Sequence, residues 1–194
     1  FDAQRRADAG LAAADADGWN ISIGADYAVT DAVRAGLAVG YIKGDGDFGA
    51  LGSADQTAWS LSPYVSASLG GLYGDLAYTY LDGDADDLTR NAAVYGLAAR
   101  AQAELKAHIV SANVGYSFDL AGLRVGPLAS LTYLDAKVNS FTEQNAVHLN
   151  LAYGDQHITT TIAHIGGAAS LPGETFVPQV RLGYDFSLND GERE

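Results

Sequence analysis

The sequence predicts an all-β protein, an antiparallel up-and-down transmembrane β-barrel with eight strands in this chain. Apolar and polar residues alternate with a period of two almost throughout, which indicates strands with two different environments. Short turns and long connections also alternate along the chain. The apolar rows consist mainly of Ala, Val and Leu, with aromatic residues near the strand ends. Together these features favour a barrel in a membrane over a soluble sheet.

The eight alternating segments include several that exceed the roughly five or six residues of an ordinary strand. Their lengths suit the roughly 9–11 residues that a tilted strand needs to cross a bilayer. They are residues 19–30, 33–43, 57–69, 72–82, 107–120, 123–138, 157–171 and 176–188.

The connections between these segments are of two kinds. Tight turns are expected at 30–32, 70–71, 121–122 and 172–175, and long polar connections at 44–56, 83–106 and 139–156. Because the two kinds alternate, every short turn falls at one end of the sheet and every long connection at the other. Outer-membrane barrels have this segregation, with short periplasmic turns and longer extracellular loops.

The alternation assigns the side chains to two faces. If the apolar rows face lipid, aromatic side chains should form girdles at the interfaces. The predicted lipid-facing and girdle residues are Trp19, Tyr27, Tyr41, Trp59, Tyr78, Tyr80, Tyr116, Phe118, Tyr133, Tyr184 and Phe186. The polar residues predicted to line the lumen are Asn20, Ser22, Asp26, Arg34, Asp75, Asn113, Arg124, Gln179, Arg181 and Asp185.

The charges on the predicted lumen face have two interpretations. Carboxylates and arginines could pair across the lumen and make it rigid, or they could line a selective permeation path. We favour the first, because charges of both signs are interleaved on the polar rows.

Two kinds of irregularity are expected within the strands. In the seventh segment Ile158 and Ile162 lie on one row and Ile165 lies on the other, which predicts a register slip or a bulge. Prolines stand in similar contexts inside three strands, where proline removes a ladder donor. Their repetition predicts a recurring bulge at Pro63, Pro127 and Pro178. Separately, residues 93–108 are compatible with a short amphipathic helix in the longest connection.

Composition limits the classes of function. The formal net charge is −13, which argues against nucleic acid as a partner because phosphates would be repelled. The chain has no cysteine, so disulfide frameworks and thiolate zinc sites are excluded. No run approaches the roughly 18 apolar residues of a transmembrane helix. The chain also has no methionine, which indicates a processed or excised piece without a signal peptide.

Motifs for chemistry are scarce. The four histidines show no local metal-ligand spacing, and the Asp-rich segments at 44–48 and 82–87 lack the pattern of a calcium loop. No nucleophile elbow, phosphate-binding loop or dinucleotide fingerprint stands in a strand–helix context. We therefore expect no catalytic residue, no cofactor and no metal in this segment.

Two stretches resemble the autotransporter β-domain, the translocator of type V secretion. Residues 24–48 resemble its first complete hairpin, and residues 123–156 resemble its middle section. The spacing is most similar to the subgroup whose passenger is a GDSL-type esterase or lipase. The signature positions of the middle section are Pro127, Tyr133, Val138, Phe141, Glu143, Asp155 and Gln156.

The resemblance implies a 12-stranded barrel in the outer membrane of a Gram-negative bacterium, which anchors an N-terminal passenger and helps to secrete it. Its implied partners are outer-membrane lipid, its own passenger with a linker helix in the pore, and the outer-membrane assembly machinery. The chain is expected to cover strands two to nine, with the remaining strands outside it. It lacks the family's terminal aromatic residue, and it has no GDSL block, so esterase activity is not carried over to this segment.

These inferences divide the chain into three parts. Residues 1–18 are predicted to be a polar N-terminal or extracellular loop segment, residues 19–188 the barrel, and residues 189–194 a polar tail. Two alternatives to the translocator stay open at this point. One is a small stand-alone eight-stranded pore or adhesion barrel, and the other is a soluble β-sandwich that binds a partner.

Overall fold

A computed structural model describes residues 2–5, 14–92, 97–173 and 178–189. Long strands dominate it, joined by short turns and two single-turn 3-10 helices at Gly49–Leu51 and Val147–Leu149. The strands are β1 (Asp2–Arg5), β2 (Ala14–Ala28), β3 (Val33–Asp47), β4 (Gly52–Leu69), β5 (Leu72–Ala92), β6 (Leu97–Tyr116), β7 (Phe118–Leu120), β8 (Leu123–Val138), β9 (Phe141–Thr142), β10 (Ala152–Tyr153), β11 (Gln156–Ser170) and β12 (Gln179–Ser187).

The long strands form a single antiparallel sheet in an up-and-down arrangement. Its order is β1-β2-β3-β4-β5-β6-β8-β11-β12, and the short β7 also pairs with β8. Strands β9 and β10 form a separate hairpin. Within the described ranges β1 and β12 lie at the two ends of the order and do not pair with each other. The predicted all-β antiparallel fold is confirmed, and one continuous sheet replaces the two stacked sheets of a sandwich.

The short turns lie together at one end, as predicted. The Oγ1 atom of Thr30 accepts hydrogen bonds from the amides of Ala32 and Val33 in the first turn. Gly70 has φ +60° and Gly122 has φ +83°, a conformation that glycine adopts without strain. The fourth predicted turn extends into residues 174–175, which lie outside the described ranges.

At the other end the strands are longer than the sequence pattern predicts. β5 and β6 run through most of the connection expected at 83–106, and β3 and β4 shorten the one at 44–56 to a tight turn. The helix suggested at 93–108 is wrong for residues 97–108, which belong to β6, while residues 93–96 lie outside the described ranges. In this stretch Ala99, Ala101 and Ala103 are buried and the polar residues between them are exposed. Pairing with β5 therefore overrides the helix propensity of alanine.

The bulge predicted in the seventh segment is wrong. β11 pairs with β8 without a register shift from Gln156 to Ser170, and with β12 from Ile162 to Ser170. Ile158 and Ile162 simply share the face on which His164 lies, so apolar side chains interrupt the polar rows there without any change in backbone geometry.

The recurring bulge predicted at the prolines is also wrong. The pairs Leu61–Tyr80 and Tyr64–Ala77 on either side of Pro63 have the same register, Pro127 pairs with Gly167, and Pro178 precedes β12. A strand amide points to only one neighbouring strand, so a proline interrupts the ladder on one side alone. Pro63 accordingly keeps its pairing with Leu37 of β3.

One bulge does occur, in β5. The register with β6 shifts between Ala85 and Leu88, and the register with β4 shifts at the same place. Asp87 has φ +50° there, the left-handed conformation of a bulge residue. The extra residue reverses the alternation of β5, so Arg90 points to the face opposite that of Tyr80.

Candidate functional site

The register sorts the predicted residues into two faces, because directly paired residues in a sheet point to the same side. One line of paired positions crosses seven successive strands and is polar at every step. We call the side of the sheet that carries it the polar face. From β3 to β12 its members are Arg34, Ser66, Asp75, Asn113, Ser130, His164 and Asp185.

The other predicted lumen residues also fall on the polar face, since each lies an even number of positions from the polar line on its own strand, or pairs with such a residue. They are Asn20, Ser22, Asp26, Arg124, Gln179 and Arg181. All eleven predicted girdle residues fall on the other side, the apolar face. Which face meets lipid and which meets water stays a prediction.

Charges on the polar face pair between neighbouring strands. The Nη1 atom of Arg34 lies 2.8 Å from Oδ1 of Asp26, and the hydroxyl of Tyr64 donates to Oδ2 of the same carboxylate at 3.4 Å. The amide of Asn113 donates to Asp75 at 2.7 Å. These short-range pairs hold the side chains against the sheet. The predicted pairing of charges across a lumen stays a prediction.

A cavity of about 500 Å³ opens on the polar face near the short turns. Its lining includes Arg124, Arg181, Gln179 and Asp119. Arg124 lies 3.7 Å from Asp119, and Arg181 donates to Gln179 at 3.5 Å. Long, exposed and loosely paired guanidinium groups of this kind can exchange their hydrogen-bond partners.

No role was predicted for His164, which the structure places beside Asp185. The Nδ1 atom of His164 lies 2.5 Å from Oδ1 of Asp185, and Ser130 is its register partner on β8. The ring leans over Gly183, where an added Cβ would lie 2.4 Å from Nε2. Within the described ranges no hydrogen bond joins His164 to Ser130, so the three residues do not form a hydrolytic triad.

Two tyrosines on the polar face were also missed. A Cβ added to Gly36 would lie 2.3 Å from the ring of Tyr64, and one added to Gly115 would lie 2.3 Å from the ring of Tyr73. Each ring thus fills the space above a glycine of the adjacent strand. The signal in the sequence was position, because both tyrosines fall on the row opposite the girdle residues of their own strands.

Within the described ranges the apolar face exposes many large hydrophobic side chains. Ile23 is 75% exposed and Leu182 is 76% exposed. Toward the long-strand end, the ring centroid of Tyr41 lies 5.5 Å from that of Trp19 and 4.8 Å from that of Trp59. A soluble monomer rarely exposes so much contiguous apolar surface, so this face requires a partner.

Beyond this aromatic row, residues 139–155 form a compact element that we call the hairpin. Its centre is Glu143, of which only 4% is exposed. Arg90 binds Glu143 with two hydrogen bonds, Nε to Oε1 at 2.7 Å and Nη2 to Oε2 at 2.6 Å. The amide of Leu151 donates to Oε2 at 2.9 Å, and the hydroxyl of Tyr153 donates to Oε1 at 3.5 Å.

These contacts set the protonation of the cluster. The hydrogen bonds from Arg90 lower the pKa of Glu143, and the same hydrogen bonds raise the pKa of Arg90. At the base of the hairpin, Lys137 and the amide of Ser140 donate to Asp155 and lower the pKa of its carboxyl. The rings of Phe141 and Tyr153 stack at 4.7 Å. The signature residues Phe141, Glu143 and Asp155 therefore organise one hairpin.

The described part of the chain has neither a cluster of metal ligands nor a membrane-spanning helix. No three His, Cys, Asp or Glu side chains there are grouped to hold a metal ion. No helix in that part has the length and apolar character to span a membrane.

Several known proteins resemble this chain in amino-acid sequence. It is 28% identical over 164 residues to Esterase EstA of Pseudomonas aeruginosa and, equally, to that of Pseudomonas putida, covering 80% of this chain and 24% of each esterase. It is 25% identical over 187 residues to an uncharacterized protein of the trpE-trpG intergenic region of Pseudomonas putida, covering 90% of this chain and 31% of that protein. The chain thus spans about a quarter to a third of these relatives.

The fold has a counterpart among solved structures. The translocator domain of the autotransporter NalP from Neisseria meningitidis superimposes with a TM-score of 0.81 at 16% sequence identity, covering 91% of this chain and 62% of that one. The family model for the autotransporter beta-domain matches residues 2–194. The chain therefore belongs to the autotransporter β-domain family, the outer-membrane β-barrel translocators of Gram-negative bacteria.

Proposed function

We propose that the polar face lines the lumen of the translocator, that the apolar face meets lipid, and that the lumen carries an N-terminal passenger to the cell surface. The observation that supports this most directly is the polar line across seven strands. It offers hydrogen-bonding groups at every step of one face, while the opposite face exposes Ile, Leu and aromatic side chains. A hydrated path inside an apolar exterior needs this separation.

The passenger is proposed to be an esterase. This rests on the likeness to the two EstA proteins, of which this chain resembles about a quarter. The segment itself is proposed to have no catalytic activity, because within the described ranges His164 bonds Asp185 and makes no hydrogen bond to Ser130, its register partner. Its contribution is anchorage and passage, with the linker helix of the passenger in the lumen and insertion by the outer-membrane assembly machinery.

Arginines near the short turns are proposed to guide the chain in transit. Arg124 and Arg181 line the cavity at that end, and Arg124 is 55% exposed. Exposed guanidinium groups can exchange hydrogen-bond partners as successive carbonyl groups of the passenger pass. Their charge stays in contact with water throughout.

Single cysteines on one strand test the face assignment, because the sequence contains no native cysteine in this segment. In the full-length protein in the outer membrane, Asn113→Cys should react with a charged, water-soluble maleimide, and the neighbouring Val114→Cys should react only after denaturation. Equal labelling of both would contradict the assignment.

Passenger export is measured separately, by protease release of the passenger from intact cells. Replacing both Arg124 and Arg181 with Gln should slow surface appearance several-fold while the barrel stays folded and heat-modifiable on gels. Replacing the half-buried Lys43 of the apolar face with Gln is the matched control. Unchanged export in the double variant would remove the arginines from the path.

A further inference from the structure

The hairpin of residues 139–155 continues the β8–β11 pair at the long-strand end, because Thr142 pairs with Ala152 in the same register as Val138 with Gln156. Arg90 pairs in register with Ala99, which shares the polar face with Asn113 along β6. Two parts of the hairpin reach Arg90, namely the carboxylate of Glu143 and the carbonyl of Leu149, the latter at 2.9 Å. These contacts between the hairpin and Arg90 therefore lie on the polar side of the wall.

Small buried side chains of β6 lie beside the hairpin, whose Gln144 bridges to Arg100. Ala99 is fully buried, Ala101 is 9% exposed and Ala103 is 6% exposed, although they lie near the end of the sheet. Ala146, near the tip of the hairpin, is also fully buried. An alanine row leaves space on the polar side in which the side chains of Arg90 and Glu143 meet across β6.

The bulge at Asp87 is what turns Arg90 toward the hairpin. Below the bulge the even-numbered residues of β5, such as Tyr78 and Tyr80, lie on the apolar face. Beyond it the even-numbered residues lie on the polar face, because Asp87 adds one residue to β5 relative to both neighbouring strands. Without this residue Arg90 would point to the opposite side of the wall.

Polar contacts supply most of the hold on the hairpin. Its large side chains Leu149 and Leu151 are 40% and 46% exposed, so they bury little apolar surface. The backbone of Gln144 exchanges two hydrogen bonds with that of Arg100, at 2.9 and 2.8 Å, and the amide of Asn139 donates to the carbonyl of Glu104 at 3.0 Å. Glu143 adds its ion pair with Arg90. An element held mainly by polar contacts can open without loss of a hydrophobic core.

We propose that the hairpin is a lid at the mouth of the lumen, held beside Ala99, Ala101 and Ala103 and latched by the Glu143–Arg90 pair. The lid covers part of the mouth at the long-strand end and opens when the pair breaks. This rests on the proposed function, because the polar face encloses a lumen only in a barrel with its apolar side in lipid.

The test measures how often the lid opens. In the full-length protein in the outer membrane, a cysteine replaces the buried Ala146, and its reaction rate with a charged maleimide is followed on intact cells. Labelling should be slow in the otherwise unchanged protein and at least tenfold faster when Glu143→Gln or Arg90→Gln is added. His157→Gln is the control, since it removes an exposed contact with Asp135 near the same end, outside the hairpin and on the other face.

Three further variants separate a latch from a general loss of structure. The reversed pair Arg90→Glu with Glu143→Arg should restore slow labelling, and deletion of Asp87 should accelerate it as strongly as Glu143→Gln does. A disulfide between cysteines at positions 100 and 144, whose backbones form a hydrogen-bonded pair, should hold the hairpin against β6. If Ala146→Cys does not insert, Ala101→Cys, buried beside the hairpin, serves as the reporter.

Two outcomes would overturn the proposal. One is fast labelling of Ala146→Cys or Ala101→Cys in the unmodified background, and the other is a rate that Glu143→Gln leaves unchanged. Either result together with normal surface display of the passenger would reject the lid and keep the translocator. Loss of display together with equal labelling of Asn113→Cys and Val114→Cys would instead reject the proposed function.

Discussion

The two ends of the sheet are built differently. Toward the short turns, side chains alternate without interruption between the two faces, and the register holds across strands from β3 to β12. Toward the long-strand end, β5 contains a bulge, β5 and β6 extend well past the aromatic row, and a hairpin beside β6 bonds Arg90 on the polar side. The first region is regular and is held by backbone pairing, whereas the second depends on a few specific polar pairs.

The difference shows how a barrel can combine a rigid wall with a movable mouth. In a membrane every backbone group of the wall must be paired within the sheet, which enforces a regular register. Outside the membrane water can satisfy the backbone, so bulges and folded-back hairpins cost little. The irregular end can therefore carry elements that open and close.

The largest expected effect sharpens the contrast between the faces of the regular region. Val114→Arg should destabilise the folded barrel by up to about 2–4 kcal/mol, because the charge would enter the lipid side of the wall. Asn113→Arg, one residue away on the polar face, should cost far less. Urea titration of the folded, heat-modifiable band in detergent or lipid measures both. A similar loss for both variants would mean that neither face meets lipid.

A smaller effect is expected where a ring packs over a glycine. Gly36→Ala should cost about 1–3 kcal/mol, because the added Cβ would lie 2.3 Å from the ring of Tyr64 and the ring must move. Gly167→Ala is the control, since its nearest neighbouring atom lies at 3.6 Å, an ordinary contact. The same urea titration compares them. In a Tyr64→Ala background, Gly36→Ala should cost little, because the ring that its methyl group meets is gone. An unchanged cost would argue against the ring contact.

The smallest effect concerns pH at the irregular end. Arg90 from β5 and Tyr153 from β10 face Glu143, and the pKa of Glu143 is held below its ordinary value of 4.5. Because the folded-state pKa is the lower one, the stabilisation is complete above pH 4.5 and is lost only as the pH falls through the lowered value. Hairpin stability should therefore be flat from neutral pH down to that point.

Hydrogen exchange of the Leu151 amide, which donates to Glu143, measures this pH dependence. Protection relative to the intrinsic exchange rate should fall only in the acid range. In Glu143→Gln the protection should be lower at neutral pH and independent of pH. A loss of protection that begins near neutral pH would point to another titrating group.

Sequence patterns predicted the regular end well and the irregular end poorly, for a physical reason. The alternation around Asn113 and Val114 follows from a period of two, which any continuous strand preserves. The stretch from Ala99 to His108 has the same alternation, but its alanines suggested a helix because propensity is local and pairing is not. The proline bulges and the slip in β11 were wrong, since those residues disturb hydrogen bonds or polarity without adding a residue.

The candidate site divides in the same way. Alternation predicted that Arg34, Asp75 and Asp185 share a face. It could not identify His164, because its partner Asp185 lies on another strand and only the register brings them together. It also could not find the contact between Arg90 and Glu143, which are 53 positions apart.

The sequence by itself determined that this chain is a set of long antiparallel strands with one apolar and one polar row, because those rows depend only on neighbouring residues. It also contained the signature residues that resemble those of the autotransporter β-domain. Tertiary structure decided the rest. The extra residue at Asp87 reverses the alternation of side chains along β5 and turns Arg90 to the polar face. The hairpin folds so that Glu143 meets Arg90. Such contacts depend on register and on chain reversal, which the spacing of residues along the chain does not encode.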